Sequence, residues 1–223
     1  MNKKNIFIAV DTNKISRAKK IIRDTQTNKI KIGYKFGLEF FYSKGGRKFI
    51  SRLKNQTIFL DLKLNDIPNT VLSAVKSLKN LKISYLTVHL NSGLSALKAL
   101  KKESRNMKIV GVTTLTSLNN KDLKEIGYNK KVNELVRHQA KLATKAKIDA
   151  IICSGHEIRL VKKVFKKEVI TPGIRFNSSS NDQKRTLTPK KAYKNGCDWL
   201  VIGRPITKGN IANNLKKLIN HLS

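Results

Sequence analysis

The stretch TIFLDLKLNDIPNTVLSAVKSL, residues 57–78, decides how the rest of the chain is read. Thr57–Leu64 is a short run of β-branched, aromatic and aliphatic residues, the composition of a strand. Pro68–Leu78 changes to helical periodicity, and Pro68 suits the first turn of a helix, where its missing N–H removes nothing the helix needs. The strand carries two charges. Asp61 and Lys63 are two residues apart, so in an extended strand their side chains leave the same face, while Leu60, Leu62 and Leu64 leave the other. Two charges on an inward face are costly unless they are paired or working. A satisfied ion pair near a rim is the bland explanation, and a catalytic pair is the sharper one.

The same strand-then-helix unit recurs along the chain. Strands are expected at Ile6–Asp11, Lys29–Phe36, Thr57–Leu64, Tyr85–Leu90, Lys108–Leu115, Ala150–Ser154, Val169–Ile174 and Trp199–Gly203, with helices such as Pro68–Leu78, Val132–Lys147 and Asn210–Leu222 between them. Alternation of this kind predicts βαβ units and a parallel sheet. Eight units in 223 residues predict a closed (β/α)8 barrel, a TIM barrel of class α/β, rather than an open sheet, with residues 1–223 forming one catalytic domain. The polar stretch Phe176–Arg185 reads as a long loop after the seventh strand.

Composition sets bounds on function. No run of roughly 18 apolar residues is present, so no transmembrane helix and no membrane partner are expected. The apolar run Ile6–Val10 is too short for a signal-peptide core and leads into Asp11. Cys153 and Cys197 have no metal-site spacing and form no disulfide framework; they read as buried reduced thiols, and a cytoplasmic location is expected. The formal charge of +33 favours contact with polyanions. Its lysines, however, are spread along the chain singly and in pairs such as Lys19-Lys20, Lys101-Lys102 and Lys190-Lys191, with no basic tail or aromatic-interleaved arm. A solvated basic surface is the expectation, with no specific nucleic-acid partner.

Barrel enzymes build their sites at the C-terminal ends of the strands. Asp11, Lys35, Asp61 with Lys63 and Asp66, His89, Thr114 with Thr116, Ser154, Arg175 and Arg204 all fall there. Lys35 and Asp11 can complete an alternating Lys/Asp array with Asp61 and Lys63. Neighbouring carboxylates favour the ammonium form, so such a lysine is a proton donor rather than a Schiff-base nucleophile. The segments Thr171-Pro-Gly-Ile-Arg175 and Val201-Ile-Gly-Arg-Pro-Ile-Thr207 close the last two strands, the usual phosphate position of this fold. There Gly173 and Gly203 would let backbone N–H groups approach, and Arg175 and Arg204 would add charge. His89 has no partners at metal-ligand spacing, and Ser117 and Ser154 lack a paired base.

The run Asp61-Leu-Lys-Leu-Asn-Asp-Ile-Pro-Asn-Thr70 closely resembles the signature of the orotidine 5'-phosphate decarboxylase family. Ala9-Val-Asp11, Lys35-Phe-Gly-Leu-Glu39, Val112-Thr-Thr-Leu-Thr-Ser117, Pro172-Gly-Ile-Arg175, Asp182-Gln-Lys-Arg185 and Gly203-Arg-Pro-Ile-Thr207 follow in the family's order, so the resemblance covers nearly the whole chain. It departs at Val88-His-Leu-Asn-Ser-Gly93, where the family carries small residues after the histidine. The resemblance implies a homodimeric barrel that converts orotidine 5'-phosphate to UMP and CO2 without metal or organic cofactor. By position it implies Lys63 as proton donor to pyrimidine C6 and Asp61 against the departing carboxylate. Lys35 and Asp66 complete the array, with Asp66 contributed across the dimer interface. It also implies Asp11 and Lys35 at the ribose, Thr70 at the substrate, Thr116 and Gln183 at the base, and Arg175, Gly203 and Arg204 at the phosphate. Two alternatives stand beside it. One is a Mg²⁺-dependent sugar-phosphate decarboxylase or aldolase with a similar Asp-x-Lys-x-x-Asp core, against which Ile67–Thr70 and Asp182–Arg185 speak. The other, from a different class, is a polyanion-binding protein motivated by charge alone.

Overall fold

The computed structural model describes residues 4–104, 106–175 and 187–222. Among them are eight strands: β1 (Asn5–Ala9), β2 (Lys31–Gly37), β3 (Thr57–Leu64), β4 (Tyr85–His89), β5 (Lys108–Val112), β6 (Ala150–Ile152), β7 (Glu168–Thr171) and β8 (Trp199–Ile202). They close in sequence order into a barrel, β1 pairing with β8, and every pairing is parallel. The connecting helices are α1 (Ile15–Asp24), α2 (Leu38–Tyr42), α3 (Gly46–Ser51), α4 (Pro68–Ser77), α5 (Gly93–Glu103), α6 (Asn120–Glu125), α7 (Val132–Lys145), α8 (Ile158–Val164), α9 (Pro189–Lys194), α10 (Arg204–Thr207) and α11 (Ile211–Leu222). All eight expected strands are present, but several end earlier than the sequence suggests. Asp11, Thr114 and Ser154 lie just past the last ladder residue, where the chain has left the sheet and begun the loop that forms the rim.

Strand alternation sorts the side chains into two cores. Leu60, Leu62, Leu86, Val88 and Ile151 face outward into the larger core beneath the helices. Phe7, Phe59, Tyr85, Trp199 and their small neighbours face inward. The rings form an aromatic plug, Phe7 stacking on Trp199 at 4.1 Å and tilting against Phe59 at 4.9 Å. Because the period is two, the next inward residue on each strand lies one layer closer to the C-terminal rim. Above Phe59 that residue is Asp61, and above Tyr85 it is Thr87. The polar site therefore stands on an apolar floor.

The departure after His89 is absorbed by packing. Leu90 opens a 3-10 turn, Leu90–Ser92, and is buried in the outer core. Its side chain lies against the backbone of Gly111 on β5, where an added Cβ would meet Leu90 Cδ2 at 2.6 Å and Cγ at 3.0 Å. The Leu90 branch point itself is in the way, so it cannot yield by turning a flexible tip. Gly111→Ala is expected to destabilise the fold by about 1–3 kcal/mol, the usual penalty of an overfilled core. The melting temperature should fall by about 3–9 °C. Leu90→Ala should cost less in the Gly111→Ala background than in the original chain, since the two sites share one clash. An unchanged melting temperature in Gly111→Ala would refute this packing.

Candidate active site

Four side chains from three strand ends form one alternating chain of charge. Lys63 Nζ donates to Asp61 Oδ2 at 2.8 Å. Lys35 Nζ lies 3.7 Å from the same oxygen and 3.1 Å from Asp11 Oδ1. The order Lys63–Asp61–Lys35–Asp11 is the array expected from the sequence. Its members are not equally placed: the Asp61 side chain is 7% exposed and that of Asp11 58%. Water screens the Lys35–Asp11 pair, which is worth roughly 0–1 kcal/mol, whereas Asp61 depends on its partners to remain charged. A cavity of about 190 Å³ opens here, lined by Asp11, Lys35, Gly37, Phe40, Asp61 and Lys63 among others. A larger one of about 750 Å³ lies at the opposite end of the barrel, between the C-terminal ends of α4 and α5. No residue of the expected site lines it, and its Lys79 and Lys108 are held by Glu103 and Glu168.

Asp61 and Lys63 meet, but simple alternation is not how. The register of β3 on β4 shifts between Leu60↔Leu86 and Leu64↔Val88, so β3 advances further than its neighbour over this span. Within it Lys63 has φ 49, in the left-handed region. A side chain with a Cβ held there costs about 1–2 kcal/mol, and such strain gathers at functional sites. Thr87 on β4 holds the irregularity. Its Oγ1 accepts from the Lys63 backbone N–H at 2.7 Å and donates to Asp61 Oδ1 at 3.1 Å. Thr87 is fully buried and was not among the residues singled out from the sequence. The available signal was its parity with His89 on the same strand, which makes it face inward.

Burial alone would raise the Asp61 pKa. The charges of Lys35 and Lys63, with the bonds from Lys63 and Thr87, outweigh it and hold the carboxyl below its ordinary value. A carboxyl depressed in the folded state adds stability above the unfolded carboxylate pKa, near about 4, and that stability is lost as pH falls through the folded pKa. Asp61→Asn is therefore expected to be less stable at pH 7, by about 2 kcal/mol. Its stability curve should converge on that of the original chain as the pH falls below about 4. Parallel curves down to acid pH would remove Asp61 as the source. Half-buried His89 is shifted down, first by desolvation and then by Lys63, with Asp61 opposing. It is a neutral polar group near pH 7.

The remaining expected residues are placed as follows. Asp66 is exposed, its Oδ1 accepting from the Ile67 N–H at 2.7 Å, and Thr70 is exposed in the first turn of α4. The single chain does not bring either of them into the cluster. Thr116 is half-buried in a turn closed by Leu118 N–H on Leu115 O at 3.0 Å. Gln183, the run Asp182–Arg185 and the whole of the expected loop Phe176–Arg185 lie outside the described residues. Arg175 and Arg204 follow the neighbouring strands β7 and β8. Gly203 brings the end of β8 against β1, where a Cβ would lie 3.4 Å from Ala9 Cβ and from Asp11 Oδ2. Arg17 of α1 donates to Thr207 O, and Asn214 Nδ2 of α11 donates to Ile206 O at 3.1 Å and Lys208 O at 2.6 Å. These two tether the loop after β8. Neither has a local sequence signal, because each acts on a segment placed beside it only by the fold. No helix among the described residues is long and apolar enough to cross a membrane.

Comparison with known proteins bears on this geometry. Residues 4–217 match the model of the orotidine 5'-phosphate decarboxylase / HUMPS family. The orotidine 5'-phosphate decarboxylase of Wolbachia sp. subsp. Brugia malayi is 42% identical over 222 residues, covering 96% of each chain. That of Carboxydothermus hydrogenoformans is 39% identical, over 90% of this chain and 88% of its own. The crystal structure of orotidine 5'-phosphate decarboxylase from Lactobacillus acidophilus is similar with a TM-score of 0.85 at 29% identity, covering 99% of this chain and 100% of that one. The structure of the Methanocaldococcus jannaschii enzyme, complexed with the inhibitor BMP, has a TM-score of 0.79 at 22% identity over both whole chains, a likeness of fold.

Proposed function

The chain belongs to the orotidine 5'-phosphate decarboxylase / HUMPS family, and on that premise we propose that it converts orotidine 5'-phosphate to UMP and CO2, the last step of pyrimidine nucleotide synthesis. The observation that carries this reading is the Lys63–Asp61–Lys35–Asp11 chain at the C-terminal rim, with Asp61 buried between two lysines.

The chemistry follows from that arrangement. The bond between C6 and the carboxylate carbon breaks, CO2 leaves, and the electron pair stays on C6. The pyrimidine offers no good electron sink for it. The Lys63 ammonium, held 2.8 Å from Asp61, stabilises the growing negative charge and delivers its proton to C6. Solvent then returns a proton to Lys63. Asp61, already fixed by Thr87 and two lysines, cannot move away from a substrate carboxylate laid against it, and that repulsion is relieved as CO2 departs. Asp11 and Lys35 hold the ribose. Arg175, Gly203 and Arg204 hold the phosphate, whose binding energy, remote from C6, is then available to lower the barrier. Thr116 and Gln183 face the base. Asp66 acts on the site of a second copy, in a cytoplasmic homodimer of single-domain chains, and Thr70 binds substrate. The basic surface has no specific nucleic-acid partner in this reading.

The test is an ultraviolet assay of purified protein with orotidine 5'-phosphate in the presence of EDTA. Loss of substrate absorbance with UMP formed is the expected result. No turnover by folded protein until Mg²⁺ is supplied with a sugar phosphate would replace this reading with the metal-dependent one. Steeply salt-dependent DNA or RNA binding with no turnover would favour the polyanion reading.

A further inference from the structure

α7 turns a polar side chain into an otherwise apolar face. Its buried residues are Val132, Leu135, Val136, Ala140, Ala143 and also Gln139, which is 4% exposed. A buried amide is costly unless its donors and acceptors are used, so an apolar residue would serve packing better. Gln139 uses them on two loops at once. Its Oε1 accepts from the Thr114 backbone N–H at 2.9 Å and from Thr114 Oγ1 at 3.2 Å. Its Nε2 donates to Asn91 Oδ1 at 3.0 Å. Asn91 Nδ2 in turn donates to Tyr128 OH at 3.1 Å, and the next residue, Ser92, donates to Asn65 Oδ1 at 3.2 Å. Asn91, with Leu90, lies where the chain departs from the small-residue pattern after His89. One amide therefore ties the exit of β5 to the exit of β4, and through Ser92 to the segment beside Asp66.

Other bonds also hold the exit of β5. Thr113 is bonded to Ile152 O through its N–H at 3.3 Å and its hydroxyl at 3.0 Å, and the turn beyond is closed by Leu118. Thr114, two residues before Thr116, is held at both backbone and side chain by Gln139.

We propose that Gln139, through Asn91 and Thr114, is a positioning residue that sets the β5 loop for recognition of the pyrimidine base. This rests on the decarboxylase reading, in which Thr116 faces the base. Gln139 touches no substrate atom in this role. Its loss weakens base-dependent binding and leaves binding of the phosphoribosyl part unchanged.

The test compares UMP with ribose 5-phosphate, which lacks the base, as ligands for the original chain, Gln139→Met and Asn91→Ala. Met conserves size while removing all three bonds. Asn91 is exposed, so its alanine variant is not at risk of misfolding and keeps the test decisive if Gln139→Met does not fold. Gln139→Met should bind UMP about 5–20-fold more weakly, the worth of one to two hydrogen bonds, with ribose 5-phosphate affinity unchanged. In turnover of orotidine 5'-phosphate its KM should rise by a similar factor with little change in kcat, the signature of lost uniform binding. Asn91→Ala should show the same split at about 2–5-fold. Equal weakening of both ligands, or no weakening of either, would overturn the proposal. An original chain that binds neither ligand and does not turn over orotidine 5'-phosphate would instead remove the decarboxylase reading, and this inference with it.

Discussion

Replacing Lys63 with alanine is expected to reduce turnover of orotidine 5'-phosphate by at least about 10⁴-fold while the chain stays folded. Two contributions are lost together: delivery of the proton, worth roughly 10²–10⁴, and stabilisation of charge at C6, worth roughly 10²–10³. Folding survives because the residue stands above the aromatic plug, a third of its side chain is open to solvent, and Asp61 keeps Lys35 and Thr87 as partners. The left-handed backbone at Lys63 supplies a control. Lys63→Gly removes the Cβ that makes φ 49 unfavourable, so it should be more thermostable than Lys63→Ala, by about 1 kcal/mol, and equally inactive. That pair of results would show a conformation retained for the side chain rather than for the fold. Near-normal turnover by folded Lys63→Ala would end the proposed mechanism.

Mixing the inactive variants Lys63→Ala and Asp66→Ala should restore activity. In the proposed dimer each site takes Lys63 from one chain and Asp66 from the other. A mixed dimer then holds one site with both residues replaced and one with both intact. Random pairing makes half of the dimers mixed, so activity should rise to about a quarter of that of the original protein. The geometry of one chain motivates this: Asp66 is exposed, accepts from the backbone N–H of its own neighbour Ile67, and stands beside that apolar residue, which is 66% exposed. Confirmed subunit exchange without recovery would mean that Asp66 serves the site of its own chain or none.

Much of the barrel was legible because its signals are local. Strand and helix periods alternate, and the inward charges at Asp61 and Lys63 stand out against leucines on the other face. Lys35 and Asp11 were also legible, since polar residues at strand ends need only the fold class to be placed. Thr87 was not. A threonine in a strand is unremarkable in composition, and its task, holding a left-handed Lys63 and orienting Asp61, exists only because β3 slips in register against β4. Asn91 was legible as a departure but not in its use. Its partner Gln139 lies 48 residues away and is brought to it by the packing of α7. Arg17 and Asn214 escaped for the same reason, each bonding a loop placed beside it by closure of the barrel.

The amino-acid sequence by itself determined the order of strands and helices, the parity that turns Asp61 inward and the leucines outward, and the strand ends at which charge collects. Each follows from periods of 2 and 3.6 residues, which act within one element and need no neighbour. Only the tertiary structure decided which charges share an oxygen, how Lys63 reaches Asp61 through a strained backbone rather than plain alternation, and which buried amide ties two loops. Those outcomes depend on register and on side chains far apart in the chain, and contacts within a few tenths of an ångström are set by packing, which no local period encodes.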